Sequence, residues 1–406
     1  MRSTRSVSNK HAGHSILCDL RAITLMNRLL VLTELFLPTK GGTAIWAAEV
    51  YKRLGGSEIH IVTADVPGAA EVDAVHPNSI HRIELKRVAW LRPESLMMYA
   101  RFFFMSLWLG LTRRFDALHA FRALPEGITA WLVARLTLRP VLIYAHGEEL
   151  TTWGRGGKYK AMRFALRHAD CVIANSEFTR DELIKMDVNP ARITLIYPGV
   201  DVERFRPGLA CADLCKSVGV AGDAKLILSV GRLSRRKGFD QVIHSLAALI
   251  RAGLNVQYAL IGIGEDRDYL LKLARENDVA ERVHLLGHVS ADDLPRWYNA
   301  CDVFAMPNRE INGDTEGFGM VFIEAAACGK PVIAGRAGGT GAAVVDGDTG
   351  LRVNGDMVED VTSGLQRILN DHGFAAHLGH AGLARVTREF SWEQVAKKTS
   401  QHMHRH

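Results

Sequence analysis

Short apolar runs recur along the chain and alternate with segments in which apolar residues return every three or four positions. The runs read RLLVLTEL, EIHIVTA, DALHAF, VLIYAH and DCVIANS in the first half, and KLILSVG, VQYALIG, VHLLG, DVFAMP and PVIAG in the second. Strands that are almost continuously hydrophobic are typical of parallel sheets with helices on both faces. The pattern therefore predicts an α/β protein built from alternating strands and helices.

The alternation pauses at residues 196–225, where two prolines and several glycines interrupt the periodicity. We place the domain boundary there and predict two doubly wound, Rossmann-like domains, at residues 26–203 and 204–388. Parallel sheets of this kind bind ligands at the carboxyl ends of their strands. The expected ligand site is therefore a cleft between the two domains.

The two ends of the chain carry separate predictions. Residues 1–25 precede Met26 and the first strand, and we expect a disordered extension or an upstream segment that is not translated. Charged residues such as Asp19 and Arg21 interrupt its apolar stretch, which argues against an export signal. At the other end, Ser391 and Gln394 have capping-box spacing, which predicts a last helix within residues 389–406.

Composition narrows the classes of function. The 406 residues are 48% hydrophobic and 23% charged, as in a globular protein. The formal net charge of +6 suits anionic ligands, but no basic run is dense enough to follow a phosphate backbone, so nucleic acid is not an expected partner. The six cysteines are scattered without the spacing of a zinc site, which favours reduced thiols in the cytoplasm.

Residues 81–115 combine aromatic and basic side chains. The apolar stretch at 95–112 approaches the length of a membrane span, but Arg101 interrupts it, so we expect a helix that covers the sheet. A further hypothesis is that the basic residues contact an anionic membrane at its inner face, or a lipid-linked acceptor. These residues are Arg82, Lys86, Arg87, Arg92, Arg113 and Arg114.

The segment SVGRLSRRKGF in the second domain reads as a strand, a turn at Gly231 and the start of a helix. Four cations gather at this turn: Arg232, Arg235, Arg236 and Lys237. Cations at the carboxyl end of a parallel strand, in front of a helix, are well placed to bind a phosphate. A solvated basic loop explains the same residues equally well.

The segment EGFGMVFIEAAACGKP predicts a helix that begins near Phe318 and Gly319 and ends before Gly329. Its first amide groups would attract an anion, so Glu316 is expected to face neutral hydroxyls beside that anion. Glu324 lies about two turns onward and could accept hydrogen bonds from a diol. In the simpler alternative, Glu316 only complements the helix dipole and Glu324 is an exposed helix residue. Glu316 and Glu324 could also be the carboxylate pair of a glycosidase. This alternative ranks low, because it gives the basic turn no functional role.

The first domain offers a comparable strand, glycine turn and helix, with Gly41 and Gly42 where a phosphate could approach. The third glycine of a dinucleotide fingerprint is missing, which argues against NAD. His146 follows a strand and faces the predicted cleft, although on position alone it is more often a hydrogen-bonding residue than a catalyst. Residues 346–348, DGD, read better as a turn than as a metal ligand, and we predict no required metal.

Together these motifs resemble the retaining glycosyltransferases of family 4, which have the GT-B fold. The resemblance rests on EGFGMVFIEAAACGKPVIAG, SVGRLSRRKG, NSEFTRDEL, YPGVDVERFRP, GHVSADDLPRWYNACDVFAMPN and DGDTGLRV, in the family's order, and covers nearly everything after residue 26. With HGEEL and the longer phrase PNREINGDTEGFG, it is closest to the bacterial phosphatidylinositol mannoside mannosyltransferases. This branch favours GDP-mannose as donor, with a UDP-sugar as the alternative, and implies that residues 389–406 pack back on the N-terminal domain.

The resemblance also implies roles for single residues. Glu316 and His146 would lie at the donor sugar, and Glu324 at the ribose. Arg232 and Lys237 would neutralise the diphosphate. The glycines of the two turns, Gly41, Gly42 and Gly231, would let the donor approach, and Phe318 and Gly319 would offer backbone amides. The chain departs from the family where Ala342 replaces a common glutamate, which puts fine donor contacts in doubt.

These observations predict a cytoplasmic or peripheral membrane enzyme that moves a hexose, with mannose favoured, to a lipid-linked or polysaccharide acceptor in an α-linkage. Apart from the donor substrate, no cofactor is expected. The alternatives are a GT-B sugar-nucleotide epimerase, a non-catalytic nucleotide-sugar-binding protein and, last, an NAD-dependent oxidoreductase.

Overall fold

The computed structural model describes residues 28–85, 96–154 and 156–403. The extension predicted at residues 1–25 lies outside these ranges, and so do Lys86, Arg87 and Arg92 of the hypothetical basic surface.

The described part of the first half forms a seven-stranded parallel sheet in the order β3-β2-β1-β4-β5-β6-β7. Strand numbers increase from β1 toward both edges of the sheet. The central strands β1, β4, β5 and β6 are buried along their whole length. The strands are β1 (Leu29–Leu32), β2 (Ile59–Ala64), β3 (Ser79–Ile83), β4 (Ala117–Ala120), β5 (Val141–Ala145), β6 (Cys171–Ala174) and β7 (Ile193–Leu195).

Helices on both faces of this sheet bury two hydrophobic clusters against it. They are α1 (Gly42–Tyr51), α2 (Ala69–Val75), α3 (Leu96–Thr112), α4 (Ile128–Thr137), α5 (Glu148–Thr152), α6 (Gly157–His168) and α7 (Glu177–Lys185). Short 3-10 turns occur at Gly56–Glu58 and Pro190–Arg192, and a π turn at Ala123–Gly127.

The second half forms a six-stranded parallel sheet in the order β10-β9-β8-β11-β12-β13. Its strands are β8 (Lys225–Val230), β9 (Val256–Ile261), β10 (Val283–Gly287), β11 (Val303–Met306), β12 (Val332–Gly335) and β13 (Leu351–Val353). One large hydrophobic cluster joins this sheet to its helices. The prediction of two doubly wound α/β domains is confirmed.

The helices of the second half follow the same alternation. They are α8 (Ala212–Ser217), α9 (Phe239–Arg251), α10 (Arg267–Glu276), α11 (Asp293–Ala300), α12 (Met320–Ala327), α13 (Thr340–Ala343), α14 (Val358–Asn370), α15 (His372–Glu389) and α16 (Trp392–Met403), with 3-10 turns at Arg235–Lys237 and Ala280–Arg282. The left-handed cap predicted after α12 is confirmed, because Gly329 has a φ of 71°. Residues 346–348 form a turn, as predicted.

The chain passes between the two halves twice. Val200 and Ser391 pair as an isolated parallel bridge, so the outgoing and returning segments lie side by side. The helix predicted at the C-terminus is α16, and the Ser391 hydroxyl accepts from the Gln394 amide at 3.4 Å, as the capping prediction required. Trp392 and Val395 of α16 are buried in a hydrophobic cluster of the first half.

Helix α3 covers the first sheet, and Phe102 and Leu109 are buried under it. No helix of the described residues has the length and apolar character needed to cross a membrane. The outer face of α3 nevertheless carries exposed large apolar side chains at Phe104, Trp108 and Leu111.

Candidate active site

A basic turn follows β8 and contacts the segment before α12. Lys237 ends the 3-10 turn, and Gly238 follows with a φ of 74°. A Cβ atom at Gly238 would lie 2.0 Å from the carbonyl oxygen of Pro307, so only glycine fits there. The turn buries Lys237, whose Nζ donates to Oε2 of Glu316.

Arg236 is the second cation that binds Glu316. Its Nη1 donates to the same Oε2 at 3.0 Å, and its Nη2 lies 3.5 Å from Oε2 of Glu148 in the other domain. Burial raises the pKa of Glu316, but Lys237 and Arg236 outweigh it and hold that pKa below its usual value. Glu316 is therefore ionised, and its Oε1 makes no hydrogen bond among the described residues.

Helix α12 begins at Met320, two residues later than the sequence suggests. Gly319 is its N-cap and has a φ of 88°, outside the right-handed helical region. The Phe318 side chain is buried, and its ring lies 5.8 Å from those of Tyr197 and Phe390. The ring thus fixes the loop, while the backbone amides at the helix start point along the helix axis toward any anion in front of it.

Glu324 lies within α12 and is partly buried. Its Oε2 accepts a hydrogen bond from the Tyr298 hydroxyl at 2.8 Å. Burial raises the pKa of Glu324, and the effects of Tyr298 and Arg204 offset only part of that rise. The carboxyl group is thus held in place beside an aromatic hydroxyl, and the alternative of an exposed helix residue does not apply.

Glu324 borders a cavity of about 320 Å³ that residues of both domains line. At its edge Lys40 Nζ lies 2.6 Å from His288 Nε2, so a contact from the first domain to the second crosses the cleft here. Lysine can only donate, so His288 accepts through this nitrogen. The volume is within the range of small-molecule sites.

His146 follows β5 on the opposite wall of the cleft. Burial lowers its pKa, so the imidazole is neutral at pH 7. Its Nε2 lies 2.6 Å from the carbonyl oxygen of Phe121, which can only accept, so Nε2 carries the hydrogen and Nδ1 is left as an acceptor. Glu149 holds the loop, because its Oε1 accepts from the His146 backbone amide at 2.8 Å.

The two domains touch through glycines. A Cβ atom at Gly317 would lie 1.9 Å from the carbonyl oxygen of His146, and one at Gly42 would lie 2.8 Å from Sδ of Met320. Asn175 also binds the His146 carbonyl, through Nδ2 at 2.8 Å. The loop of Glu316 and the loop of His146 are therefore in direct backbone contact.

The structure does not bring every predicted site residue into this arrangement. The side chain of Arg232 is 72% exposed and its Nε binds Glu265 at 3.2 Å. Gly231 lies close to Lys237, with 3.8 Å from its would-be Cβ to the lysine Cε. Gly41 caps α1 and has open space around it.

Sequence reasoning did not single out three residues that the site uses. Arg236 was grouped with its neighbours in the basic turn, and nothing in the sequence shows that it, rather than Arg232, meets Glu316. Tyr298 and Asn175 contact Glu324 and the His146 loop from distant parts of the chain. The one available signal for Asn175 is its position directly after β6, at the edge where ligands bind.

Among the residues that the structure describes, no group of three or more His, Cys, Asp or Glu side chains is arranged to hold a metal ion. A metal-free reaction remains a prediction.

Comparison with known proteins places this geometry in a family. Residues 213–385 match the model of "Glycosyl transferases group 1", and residues 40–204 match "Glycosyltransferase Family 4". The chain is 32% identical over 390 residues to a GDP-mannose-dependent alpha-(1-6)-phosphatidylinositol monomannoside mannosyltransferase of Mycobacterium tuberculosis, covering 92% of this chain and 97% of the relative. The chain belongs to the family 4 glycosyltransferases. It is thus a glycosyltransferase with the GT-B fold, as predicted.

Two further comparisons extend this assignment. A D-inositol 3-phosphate glycosyltransferase of Streptomyces bingchenggensis is 34% identical over 242 residues, 57% of this chain and 52% of that protein. Among solved structures, Anabaena Alr3699/HepE in complex with UDP and glucose superposes with a TM-score of 0.79 at 20% identity, covering 94% of this chain and 100% of that one. At this identity the likeness supports the fold alone.

Proposed function

We propose that this glycosyltransferase moves mannose from GDP-mannose to a lipid-linked or saccharide acceptor, with retention and an α-linkage. The observation that carries the proposal is the ionic cluster of Lys237, Arg236 and Glu316, which faces neutral His146 across a closed cleft. The mannosyltransferase relative supports the donor and the acceptor class. A UDP-sugar is the alternative donor.

The cation pair supplies the main electrostatic step. As the bond from the anomeric carbon to the phosphate breaks, negative charge grows on the departing diphosphate. Lys237, Arg236 and the amides at the start of α12 are fixed where they stabilise that charge, so they need little reorganisation during the reaction. Glu316 pairs with both cations, and the phosphates compete with it for them.

The remaining groups hold the sugar. Oε1 of Glu316 and Nδ1 of His146 both accept hydrogen bonds from hydroxyls, and they approach the sugar from opposite walls. Contact between the two walls excludes water, which limits hydrolysis of the donor. For retention, the departing phosphate takes the acceptor's proton on the face where the new bond forms.

A ligand panel tests the donor. At 100 times its Kd a ligand stabilises the folded protein by about 2.7 kcal/mol, which raises Tm by several degrees. GDP-mannose is expected to raise Tm most, a UDP-sugar less, and NAD not at all. Stereochemical analysis of the product then tests retention. Isomerised or released sugar nucleotide without any acceptor would instead establish the epimerase alternative, and binding without transfer would indicate a non-catalytic protein.

A lipid-linked acceptor suggests that the enzyme acts at the inner face of the membrane. We infer that the exposed apolar side chains of α3, Phe104, Trp108 and Leu111, insert among anionic lipids while exposed Arg113 and Arg114 bind the head groups. Arg82 is not part of this surface, because Asp73 and two backbone carbonyls bind its inward-facing guanidinium.

Flotation with anionic vesicles tests this surface. Trp108→Glu is expected to abolish flotation at low salt, and Ile263→Glu, at a 71% exposed apolar residue of the other domain, is expected to leave it unchanged. Equal flotation of both variants would reject the assignment.

A further inference from the structure

An ionic cluster lies near His146 at the carboxyl edge of the first sheet, apart from the residues assigned above to the donor. Glu34 follows β1, and Arg122 follows β4. Arg122 Nη2 donates to Oε2 of Glu34 at 2.6 Å and lies 3.2 Å from Oε1 of Glu126. The backbone amide of Glu34 donates to that same Oε1 at 2.8 Å. Arg122 and Glu126, in the segment after β4, are thus joined to the loop after β1.

The cluster has one positive and two negative groups. Burial lowers the pKa of Arg122, but Glu126 and Glu34 outweigh it and raise that pKa above its usual value, so the guanidinium stays charged. Burial raises the pKa of nearby Tyr99, and the two carboxylates raise it further. The three groups of this cluster therefore carry a net negative charge.

Two carboxylate oxygens of the cluster have no hydrogen-bond partner among the described residues. Oε1 of Glu34 makes no hydrogen bond with any described residue, and the Glu34 side chain is 28% exposed. Glu126 is fully buried, and its Oε2 has no hydrogen-bond partner in the described part of the chain. A buried oxygen of this kind is costly unless a donor reaches it. Of these two oxygens, only Oε1 of Glu34 belongs to a side chain that solvent reaches.

Position ties the cluster to the reaction. β1, β4 and β5 are neighbours in the sheet, so Glu34, Arg122 and His146 leave the same edge. Phe121, the residue before Arg122, accepts the hydrogen bond of His146 Nε2. Glu34 therefore lies on the same side of the sheet as the histidine assigned to the donor sugar.

We propose that Glu34, supported by Arg122 and Glu126, determines acceptor specificity by binding uncharged sugar hydroxyls and repelling phosphate at this position. Hydroxyl groups donate to the open Oε1 of Glu34, whereas a phosphate meets a net charge of like sign. The reacting ring of the acceptor is then a neutral hexose, and any phosphate of a lipid-linked acceptor lies farther out. This inference rests on the proposed transfer to a sugar acceptor.

Direct binding of acceptor analogues tests the role of Glu34 separately from the choice of donor. Methyl α-D-mannopyranoside and D-inositol 3-phosphate serve as neutral and phosphorylated probes, measured by saturation-transfer NMR on the full chain, with and without GDP. The wild type is expected to bind the mannoside and to bind the inositol phosphate at least about tenfold more weakly. Glu34→Gln should weaken mannoside binding about tenfold. Glu34→Lys should invert the preference, because the cluster then becomes positive.

Glu58→Gln, at an exposed glutamate outside the cleft, is the matched control and should match the wild type. Unchanged mannoside affinity in Glu34→Gln, or a wild-type preference for the phosphorylated probe, would overturn the inference. The binding measurement needs no turnover. If GDP-mannose fails as donor, that result counts against the proposed function, but the mannoside and inositol phosphate affinities still test the role of Glu34. In kinetic assays, Glu34→Gln should raise the acceptor KM with kcat and the donor-induced Tm shift nearly unchanged.

Discussion

Substitution of Gly317 by alanine separates closure of the cleft from folding and from donor binding. The backbone of Gly317 is not left-handed, so alanine is not strained there by its own conformation. The added Cβ would lie 1.9 Å from the His146 carbonyl oxygen and 3.2 Å from Nδ2 of Asn175, both in the other domain. Ordinary contact begins at 3.4 Å, so the two loops must separate by about 1.5 Å.

A displacement of this size is large for a reacting pair. Misplacement by about 1 Å costs about 10²-fold in rate, which corresponds to about 2.7 kcal/mol of activation free energy. We therefore expect kcat of Gly317→Ala to fall at least about 10²-fold. Donor affinity should change less than about threefold, because the residues proposed to bind the phosphates and the ribose belong to the second domain. Hydrolysis should increase relative to transfer, because an incompletely closed cleft admits water.

The assay measures transfer and hydrolysis of GDP-mannose at saturating acceptor, with donor affinity from calorimetry and folding from Tm. Gly157→Ala is the control, since its Cβ would meet nothing within 4 Å, and it should retain wild-type values. A folded Gly317→Ala enzyme with kcat within about threefold of the wild type would refute the reasoning that backbone contact between the loops is required.

Three further predictions concern the charged groups. Lys237→Ala is expected to lower kcat/KM for the donor at least about 10²-fold, and Arg232→Ala less than about tenfold, because Arg232 is largely exposed and outside the ionic cluster. Tyr298→Phe removes a hydrogen bond that lowers the pKa of Glu324, so the pH dependence of donor affinity should shift to higher pH. The pKa of Glu316 is lowered in the folded state, so its stabilising contribution is present above about pH 4.3 and is lost as pH falls through the folded-state pKa. Glu316→Gln should therefore flatten the acid limb of a Tm-against-pH curve.

Each of these outcomes can fail independently. Equal losses in Lys237→Ala and Arg232→Ala would show that the donor draws Arg232 into the cluster. An unshifted calorimetric pH profile in Tyr298→Phe would mean that Glu324 does not control donor affinity. An acid limb unchanged by Glu316→Gln would show that its ion pairs contribute nothing to folding.

The fold could be predicted because most strands are buried on both faces and therefore appear as continuous apolar runs. Three strands lack such a signal, and all lie at sheet edges: β3 and β7 at the two edges of the first sheet and β13 at one edge of the second. β3 (SIHRI) has only two apolar residues and is mostly half-buried, and β7 (ITL) and β13 (LRV) have three residues each. Edge strands need less apolar surface, so their sequences resemble loops.

The site was less accessible to sequence reasoning. The strand ends placed Lys237, Glu316, Glu324 and His146 at one cleft, because parallel strands bring their following loops to one edge. Side-chain direction within the basic turn depends on its local φ and ψ, and here the 3-10 turn directs Arg236 inward. Sequence spacing contains no such information.

Closure also follows from how the chain connects the domains. Val200 and Ser391 pair side by side, the Val200 amide donates to the Phe390 carbonyl at 2.8 Å, and a Cβ at Gly199 would lie 2.6 Å from the Trp392 ring. Two connections this tightly packed can act as one hinge, so the domains can rotate but cannot easily slide. Each closing rotation about a single hinge brings the same loop of each domain into contact. The contact of Gly317 with the His146 loop leaves no room for rotation toward tighter closure.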